Sequence, residues 1–210
     1  MIRVLIADDH AVVRRGVRQI LEAEPDIELV GEASEYSEIR RCLKEAQCDV
    51  LILDVQMPGK NGLEVVKNLR DEVPRLAVLM LSTYPEDQYA VRALKAGARG
   101  YITKTTAPER IVEAVRTVAA GRKFISPETA EALAATVSGE RVESPHTTLS
   151  DREFQILKLI ASGKKLADIA ANLALSPKTV SVYRARILEK MALSSNAELT
   201  HYALKNALVE

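Results

Sequence analysis

Residues 50–69 read Val50-Leu51-Ile52-Leu53-Asp54-Val55-Gln56-Met57-Pro58-Gly59-Lys60-Asn61-Gly62-Leu63-Glu64-Val65-Val66-Lys67-Asn68-Leu69. An apolar run ends on an acid, a Pro-Gly turn follows, and apolar residues then recur at Leu63, Val66 and Leu69, the period of one helix face. The same strand-turn-helix unit recurs on both sides. Apolar runs stand at Ile2 to Ala7, Ile27 to Gly31, Ala77 to Leu81 and Gly100 to Ile102. Helical spacing appears at Val13, Val17, Ile20 and Leu21, at Ala90, Ala93 and Leu94, and at Ile111, Val115 and Val118. Gly97 predicts a helix stop, and Thr106-Ala107-Pro108-Glu109 predicts a capping box with proline in the first turn. Alternation repeated five times implies an α/β fold: a doubly wound five-stranded parallel sheet with helices on both faces and its ligand site beyond the carboxyl ends of the strands.

The chain has 210 residues, which suits one large domain or two small ones. Apolar residues make up 47% and charged residues 28%, ordinary globular usage that argues against disorder, collagen-like repeats or a coiled coil. No apolar run approaches the ~20 residues a bilayer needs, and Asp8 and Asp9 stand where a signal peptide would stay apolar. A cytoplasmic protein with no membrane partner is therefore expected. Cys42 and Cys48 lack the spacing of a metal knuckle and are read as structural thiols. The formal charge is zero, yet residues 148–210 carry nine Lys/Arg against six Asp/Glu. The end of the chain is thus basic and the rest acidic.

Composition divides the chain into three parts. Residues 1–121 carry the alternating units. Residues 122–146 loosen into a polar stretch broken by Gly139 and Pro145, read as a linker with one short helix from Pro127 to Val137. Residues 147–210 show helical signals only, so a small all-α four-helix domain is expected. Ser150-Asp151-Arg152-Glu153 is a capping box ahead of Phe154, Leu157 and Ile160, and Gly163 closes that helix. Leu166 to Leu173 makes a second helix, Ser176-Pro177 caps a third that runs to about Lys190, and Ser195 with Glu198 boxes a fourth that carries Leu199, Tyr202 and Ala203.

Asp8 and Asp9 follow the first strand and Asp54 follows the third. In a doubly wound sheet those strand ends are neighbours, so three carboxylates from distant sequence converge. Such a cluster either raises the pKa of a member or holds a hard cation, and oxygen-only ligands favour Mg²⁺ over Zn²⁺. Ser82 after the fourth strand and Lys104 after the fifth add a hydroxyl and an ammonium. Together these make a phosphoryl-acceptor site in which Asp54, ionised at its reference pKa of ~3.9, attacks phosphorus without a general base. Taken singly, an Asp-Asp pair is more often a solvated cap and a lone lysine mere surface. What argues for a site is the joint occurrence at successive strand ends. Tyr101 reads equally as core or as a moving part, His10 as a solvent-facing residue at a helix start, and Met57-Pro58-Gly59 as a positioning loop.

Asp8-Asp9, Leu53 to Gly59, Leu81-Ser82, Gly97 to Tyr101 and Lys104 resemble the motifs of the CheY-like, flavodoxin-fold receiver domain of two-component response regulators. The resemblance implies that Asp54 is phosphorylated by a sensor histidine kinase, with Ser82 and Lys104 assisting. It implies that Asp9 and Asp54 bind Mg²⁺ together with the Gln56 backbone carbonyl, that Asp8 helps through water, and that Ser82 and Tyr101 switch orientation. Many receivers carry proline after the lysine, where Thr105 stands here.

The second and third helices of the tail, joined by Ala174-Leu175-Ser176, have the layout of a helix-turn-helix. Val180, Tyr183, Ile187 and Met191 repeat at helical spacing and should face the core, leaving Lys178, Ser181, Val182, Ala185, Arg186 and Glu189 outward. Lys178, Arg184, Arg186 and Lys190 would meet phosphates, while Ser181, Val182 and Ala185 are small enough to approach base edges. Four basic residues on a helix are more often a solvated face. However, Leu149 to Glu153, Ala161 to Gly163, Asp168 to Ala170, Leu175 to Val180 and Ile187 to Lys190 resemble the LuxR-type DNA-binding domain, which also enlists Thr179 in its recognition helix.

With the receiver, this tail resembles the NarL/FixJ class, and Thr179 to Arg184 is similar to the GacA/UvrY branch. The resemblance implies binding to double-stranded promoter DNA as a homodimer when phosphorylated. It also implies Leu199 and Tyr202 at the dimer contact, and RNA polymerase as a further candidate partner. Such a chain is not an enzyme beyond its own phosphotransfer and dephosphorylation. The rival readings are an aspartyl-phosphate phosphatase, which wants an acid where Gln56 stands, a flavin module, which wants a glycine-rich first loop, and a receiver with a protein-interaction tail.

Overall fold

The apolar runs form five strands, β1 (Ile2–Ala7), β2 (Ile27–Ala33), β3 (Val50–Asp54), β4 (Ala77–Ser82) and β5 (Gly100–Thr103). The central strands β3 and β4 are apolar and buried along nearly their whole length because both faces of the sheet are covered there, whereas edge strand β2 carries Glu28 and Glu32 and is buried only at its ends. The computed structural model describes residues 1–57, 60–137 and 144–209. All strand pairs are parallel in the order β2-β1-β3-β4-β5, which makes β1 and β3 neighbours at the point where strand order reverses. Ala7 pairs with Leu53, Asp54 with Leu81 and Ser82 with Thr103, so the carboxyl ends of four strands lie level.

Helices α1 (Ala11–Glu22), α2 (Tyr36–Glu45), α3 (Gly62–Glu72), α4 (Glu86–Ala96) and α5 (Pro108–Ala119) cover the sheet. Val4, Ile6, Val50, Ile52, Leu79 and Leu81 share one sheet face and pack with Val17 and Leu21 of α1 and Ile111, Val115 and Val118 of α5. Their alternates Leu5, Leu51, Leu53 and Met80 are buried on the opposite face, as the two-residue period requires. Helix α2 shows little apolar spacing, and only Ile39 is buried along it. Gly97 ends α4 at φ 118°, a left-handed conformation that favours glycine. The capping box predicted at Thr106 is not formed. Ala107 is the N-cap with Pro108 after it, and the Thr106 hydroxyl instead accepts from the Thr103 N–H at 3.1 Å.

The chain divides into two units at residues 138/139. The short helix expected between Pro127 and Val137 forms with those bounds as α6, and it packs against α4 within the first unit. The second unit comprises a 3-10 turn (Pro145–Thr148) and helices α7 (Asp151–Ala161), α8 (Leu166–Asn172), α9 (Pro177–Lys190) and α10 (Asn196–Lys205). The capping box at Ser150 and Glu153 is complete, and the Ser176 hydroxyl accepts from Thr179 N–H at 3.0 Å. The box at Ser195 is only half made, because Glu198 turns to the backbone N–H and hydroxyl of Ser194 at 2.8 and 2.7 Å. Ala174 takes φ 51° in the turn between α8 and α9, while Leu175 N–H returns to the Ala170 carbonyl at 2.8 Å. No helix among the described residues is long and apolar enough to cross a membrane.

Candidate metal centre and nucleic-acid interface

Parallel register brings the predicted acids together at the sheet's carboxyl edge. One ligand atom each from Asp8, Asp9, His10 and Asp54 lies within 4.8 Å of the others, a set dominated by carboxylate oxygens. Asp8 is fully buried and Asp54 is 2% exposed. Nζ of Lys104 stands 2.7 Å from Oδ2 of Asp8 and 2.7 Å from Oδ2 of Asp54. One ammonium against three carboxylates leaves an excess of negative charge, and the hard oxygen donors suit a divalent cation such as Mg²⁺.

Burial and the charge of Asp8 push the Asp54 carboxyl up to about 6, against the opposing pull of Lys104 and the Gln56 N–H. The reference value assumed from sequence is thereby corrected, since desolvation penalises the charged form. Burial alone would lower the pKa of Lys104, but its bonds to Asp54 and Asp8 outweigh it and hold it raised. The Gln56 N–H donates to Asp54 Oδ1 at 3.1 Å. His10 is the N-cap of α1 with a side chain 59% exposed, and its Nδ1 lies 2.6 Å from Asp9 Oδ1. It is solvent-facing, as expected, yet it belongs to the acidic cluster.

Ser82 is buried at the end of β4, where its Oγ accepts from the Tyr84 N–H at 3.1 Å. Tyr101 is 2% exposed, and its hydroxyl donates to the Tyr84 carbonyl at 2.8 Å. The Lys104–Thr105 peptide is trans, as are all described peptides. Met57 is buried, whereas Pro58 and Gly59 of its loop lie outside the described residues. Burial pushes the Cys48 thiol up to about 12, in keeping with a structural role.

Four participants escaped the reading of the sequence. Arg14 donates from Nη1 to the Asp8 carbonyl at 2.6 Å. Tyr84 hydrogen-bonds the Gln56 side-chain amide and stacks on Tyr89 with ring centroids 4.5 Å apart. Asn61 caps α3 by accepting from Leu63 N–H at 2.9 Å. Gly62 lets that helix start against the site, since a Cβ there would fall 2.2 Å from the Asp54 carbonyl oxygen. The Asn-Gly pair carried a readable signal for the last two, but Arg14 and Tyr84 act through contacts that no local pattern announces.

On α9, Val180 and Ile187 are buried, as is Met191 at its C-cap, and Tyr183 is half-buried, while Lys178, Ser181, Val182, Ala185, Arg186 and Glu189 are exposed. Thr179 is half-buried, with its hydroxyl 2.7 Å from Ser176 Oγ. The residues expected to face outward are therefore exposed, and one expectation, that for Leu199, is corrected. Lys190 Nζ bonds Oε2 of Glu153 at 2.7 Å, and Arg184 Nε bonds Asn196 Oδ1 at 2.6 Å, so both cations are already engaged within the unit. Leu199, expected at a dimer contact, is 0% exposed and belongs to the core of its unit. Tyr202 is half-buried with its hydroxyl 2.8 Å from His146 Nδ1.

Residues 4–116 match the response regulator receiver domain, and residues 147–203 match the bacterial regulatory proteins of the luxR family. The chain belongs to the response regulators that join a receiver to a LuxR-type DNA-binding domain, the NarL/FixJ class of transcriptional regulators. It is 38% identical over 209 residues to response regulator UvrY of Escherichia coli strain K12, spanning 99% of this chain and 96% of that one. To response regulator GacA of Pseudomonas aeruginosa PAO1 it is 38% identical over 211 residues, spanning 100% and 99%. Among solved structures it is similar to RcsB of Salmonella enterica serovar Typhimurium bound to promoter rprA in the presence of phosphomimetic BeF3-, with TM-score 0.67, 25% identity and coverage of 96% and 97%.

Proposed function

We propose that Asp54 is the phosphoacceptor of a Mg²⁺-dependent, cytoplasmic two-component switch whose tail binds promoter DNA as a dimer. The observation that carries this reading is the clustering of Asp8, Asp9 and Asp54 at one strand edge, with the Lys104 ammonium 2.7 Å from both buried acids, Asp8 and Asp54. An Asp54 carboxylate oxygen attacks phosphorus, an acyl phosphate forms, and the bond to the donor breaks, with the leaving histidine nitrogen or acetate carrying away the electron pair. Asp9 and Asp54 with the Gln56 carbonyl, and Asp8 through water, are the groups to hold Mg²⁺, which when bound offsets the charge of the transferring phosphoryl group. Lys104 is positioned to pair with a phosphoryl oxygen, and Ser82 to donate to another.

The switch is a population shift. A phosphoryl group stabilises the conformation in which Ser82 turns to it, and Tyr101 follows because its hydroxyl is tied to the Tyr84 carbonyl. In the tail, exposed Lys178 and Arg186 are the phosphate contacts, while Ser181, Val182 and Ala185 face base edges. A sensor histidine kinase is the phosphodonor, and RNA polymerase is a further partner at the promoter. The test is incorporation of label from acetyl phosphate with Mg²⁺, followed by titration of labelled protein with duplex DNA. Acid-labile label absent from Asp54→Asn, together with tighter duplex binding by the labelled protein, is the expected result. Label retained by the variant would overturn the assignment of Asp54.

A further inference from the structure

Helix α6 starts with a cap that its own sequence cannot complete. Ser126 is the N-cap: its carbonyl accepts from Ala130 N–H at 3.0 Å and its hydroxyl oxygen from Thr129 N–H at 3.1 Å. A capping box then needs Glu or Gln three residues on, to accept from the N-cap N–H, but Thr129 stands there. The carboxylate comes from another helix. Oε1 of Glu86, the first residue of α4, accepts from Ser126 N–H at 3.2 Å and from the Thr129 hydroxyl at 2.7 Å. Thr129 is 4% exposed, so Glu86 satisfies a hydroxyl that water scarcely reaches.

Glu86 also ends the loop that borders the acidic site. Two residues earlier, Tyr84 gives its N–H to Ser82, receives the Tyr101 hydroxyl on its carbonyl and bonds the Gln56 amide. A Ser82 hydroxyl turned toward a new acceptor on Asp54 leaves the Tyr84 N–H, and the backbone that aims Glu86 shifts with it. Helix α6 is poorly equipped to stay docked without that anchor. It has 11 residues, too few for an isolated helix to hold in water, and its half-buried residues Ala130, Ala132, Leu133 and Ala135 are mostly alanine.

We infer that Glu86 is a positioning residue that latches α6 to the first unit, and that the latch opens when Asp54 is phosphorylated. The opening rests on the phosphoacceptor reading above, whereas the latch does not. Residues 138–143 follow α6 directly, so the latch acts on the chain that leads to the second unit.

The test is amide hydrogen exchange on the full chain, comparing wild type, Glu86→Ala and Thr129→Val, each with and without BeF3-/Mg²⁺. Loss of a hydrogen bond to a charged group should speed exchange across residues 129–137 by about tenfold or more while β1 and β3 stay protected. Wild type with BeF3-/Mg²⁺ should show the same acceleration. Adding BeF3-/Mg²⁺ to Glu86→Ala should change the loop at residues 83–85 but add nothing in α6, a saturation that a merely destabilised helix would not produce. Unchanged α6 exchange in both variants, or an α6 already unprotected in wild type, overturns the latch. A loop that responds to BeF3-/Mg²⁺ while α6 does not overturns the coupling. If neither responds, the phosphoacceptor reading fails and takes the coupling with it, and the two variants still decide the latch.

Discussion

Lys104 and Asp54 form an ion pair at 2.7 Å in which the lysine is held charged while the carboxylate is not fully stabilised. The asymmetry arises because Asp54 is desolvated by burial and lies beside the charge of Asp8 with a single cation to offset both, whereas Lys104 is bonded to two acids that outweigh its own burial. Asp54 is thus destabilised as an anion until a further positive charge arrives.

This sets the pH dependence of the metal-free protein. The Asp54 carboxyl lies at about 6 in the fold against 3.8 as a model group, so between those values the native state binds more protons than the unfolded chain. Its contribution to stability is full below the unfolded value and is lost as pH rises through about 6. Wild type should lose about 1–2 kcal/mol relative to Asp54→Asn between pH 5 and pH 7.5, read by calorimetry in a chelating buffer. Parallel curves for the two proteins would contradict the raised pKa.

Asp9→Ala should act mainly through lost metal affinity, because Asp9 touches His10 rather than Lys104. Phosphoryl uptake should fall at low Mg²⁺ and recover in part as Mg²⁺ is raised. A defect that no Mg²⁺ concentration relieves would assign Asp9 a different role.

Ser82→Ala should weaken the response more than the chemistry. The hydroxyl is proposed to stabilise the phosphorylated conformation by one charge-assisted hydrogen bond worth ~1.5–3 kcal/mol. Uptake of label should persist while phosphorylation-driven dimerisation, followed by sedimentation, is lost. A labelled variant that dimerises normally would refute this role.

The cations of α9 should separate into two classes. Lys178→Ala and Arg186→Ala should weaken binding to all duplexes alike and flatten log affinity against log salt by ~0.9 per contact. Lys190→Ala should instead lower the stability of the second unit by about 1–2 kcal/mol, since it strips the partner from the mostly buried Glu153. Changes at Ser181 or Val182 should reorder sequence preference by ~1–3 kcal/mol per base pair with little effect on the salt slope. A Lys190 variant that behaves like Lys178→Ala in the salt titration would show that the ion pair opens on DNA.

Leu199→Ala should leave a cavity costing about 2–5 kcal/mol, because Leu199 is fully buried. The thermal transition of the second unit should drop, with palindromic and half-site affinities falling together. Selective loss on palindromes would instead return Leu199 to a dimer contact.

What the sequence determined by itself is the part of the molecule that repeats locally. Backbone geometry imposes periods of two and about 3.6 residues on any apolar pattern, so β1 to β5 and most helices could be read from spacing, and with them the strand ends that carry Asp8, Asp54, Ser82 and Lys104. Caps at Ser150 and Ser176 were legible because their donors lie three residues away. What needed the tertiary structure is every choice between partners distant in the chain. Lys190 is bound to Glu153, 37 residues earlier, and Glu86 caps a helix 40 residues later; neither pairing leaves a local trace. The same holds for the burial of Leu199 and for the raised pKa of Asp54. Apolar spacing tells which side of a helix is covered but not by what, and a pKa records the summed desolvation and charge of neighbours that only folding brings together.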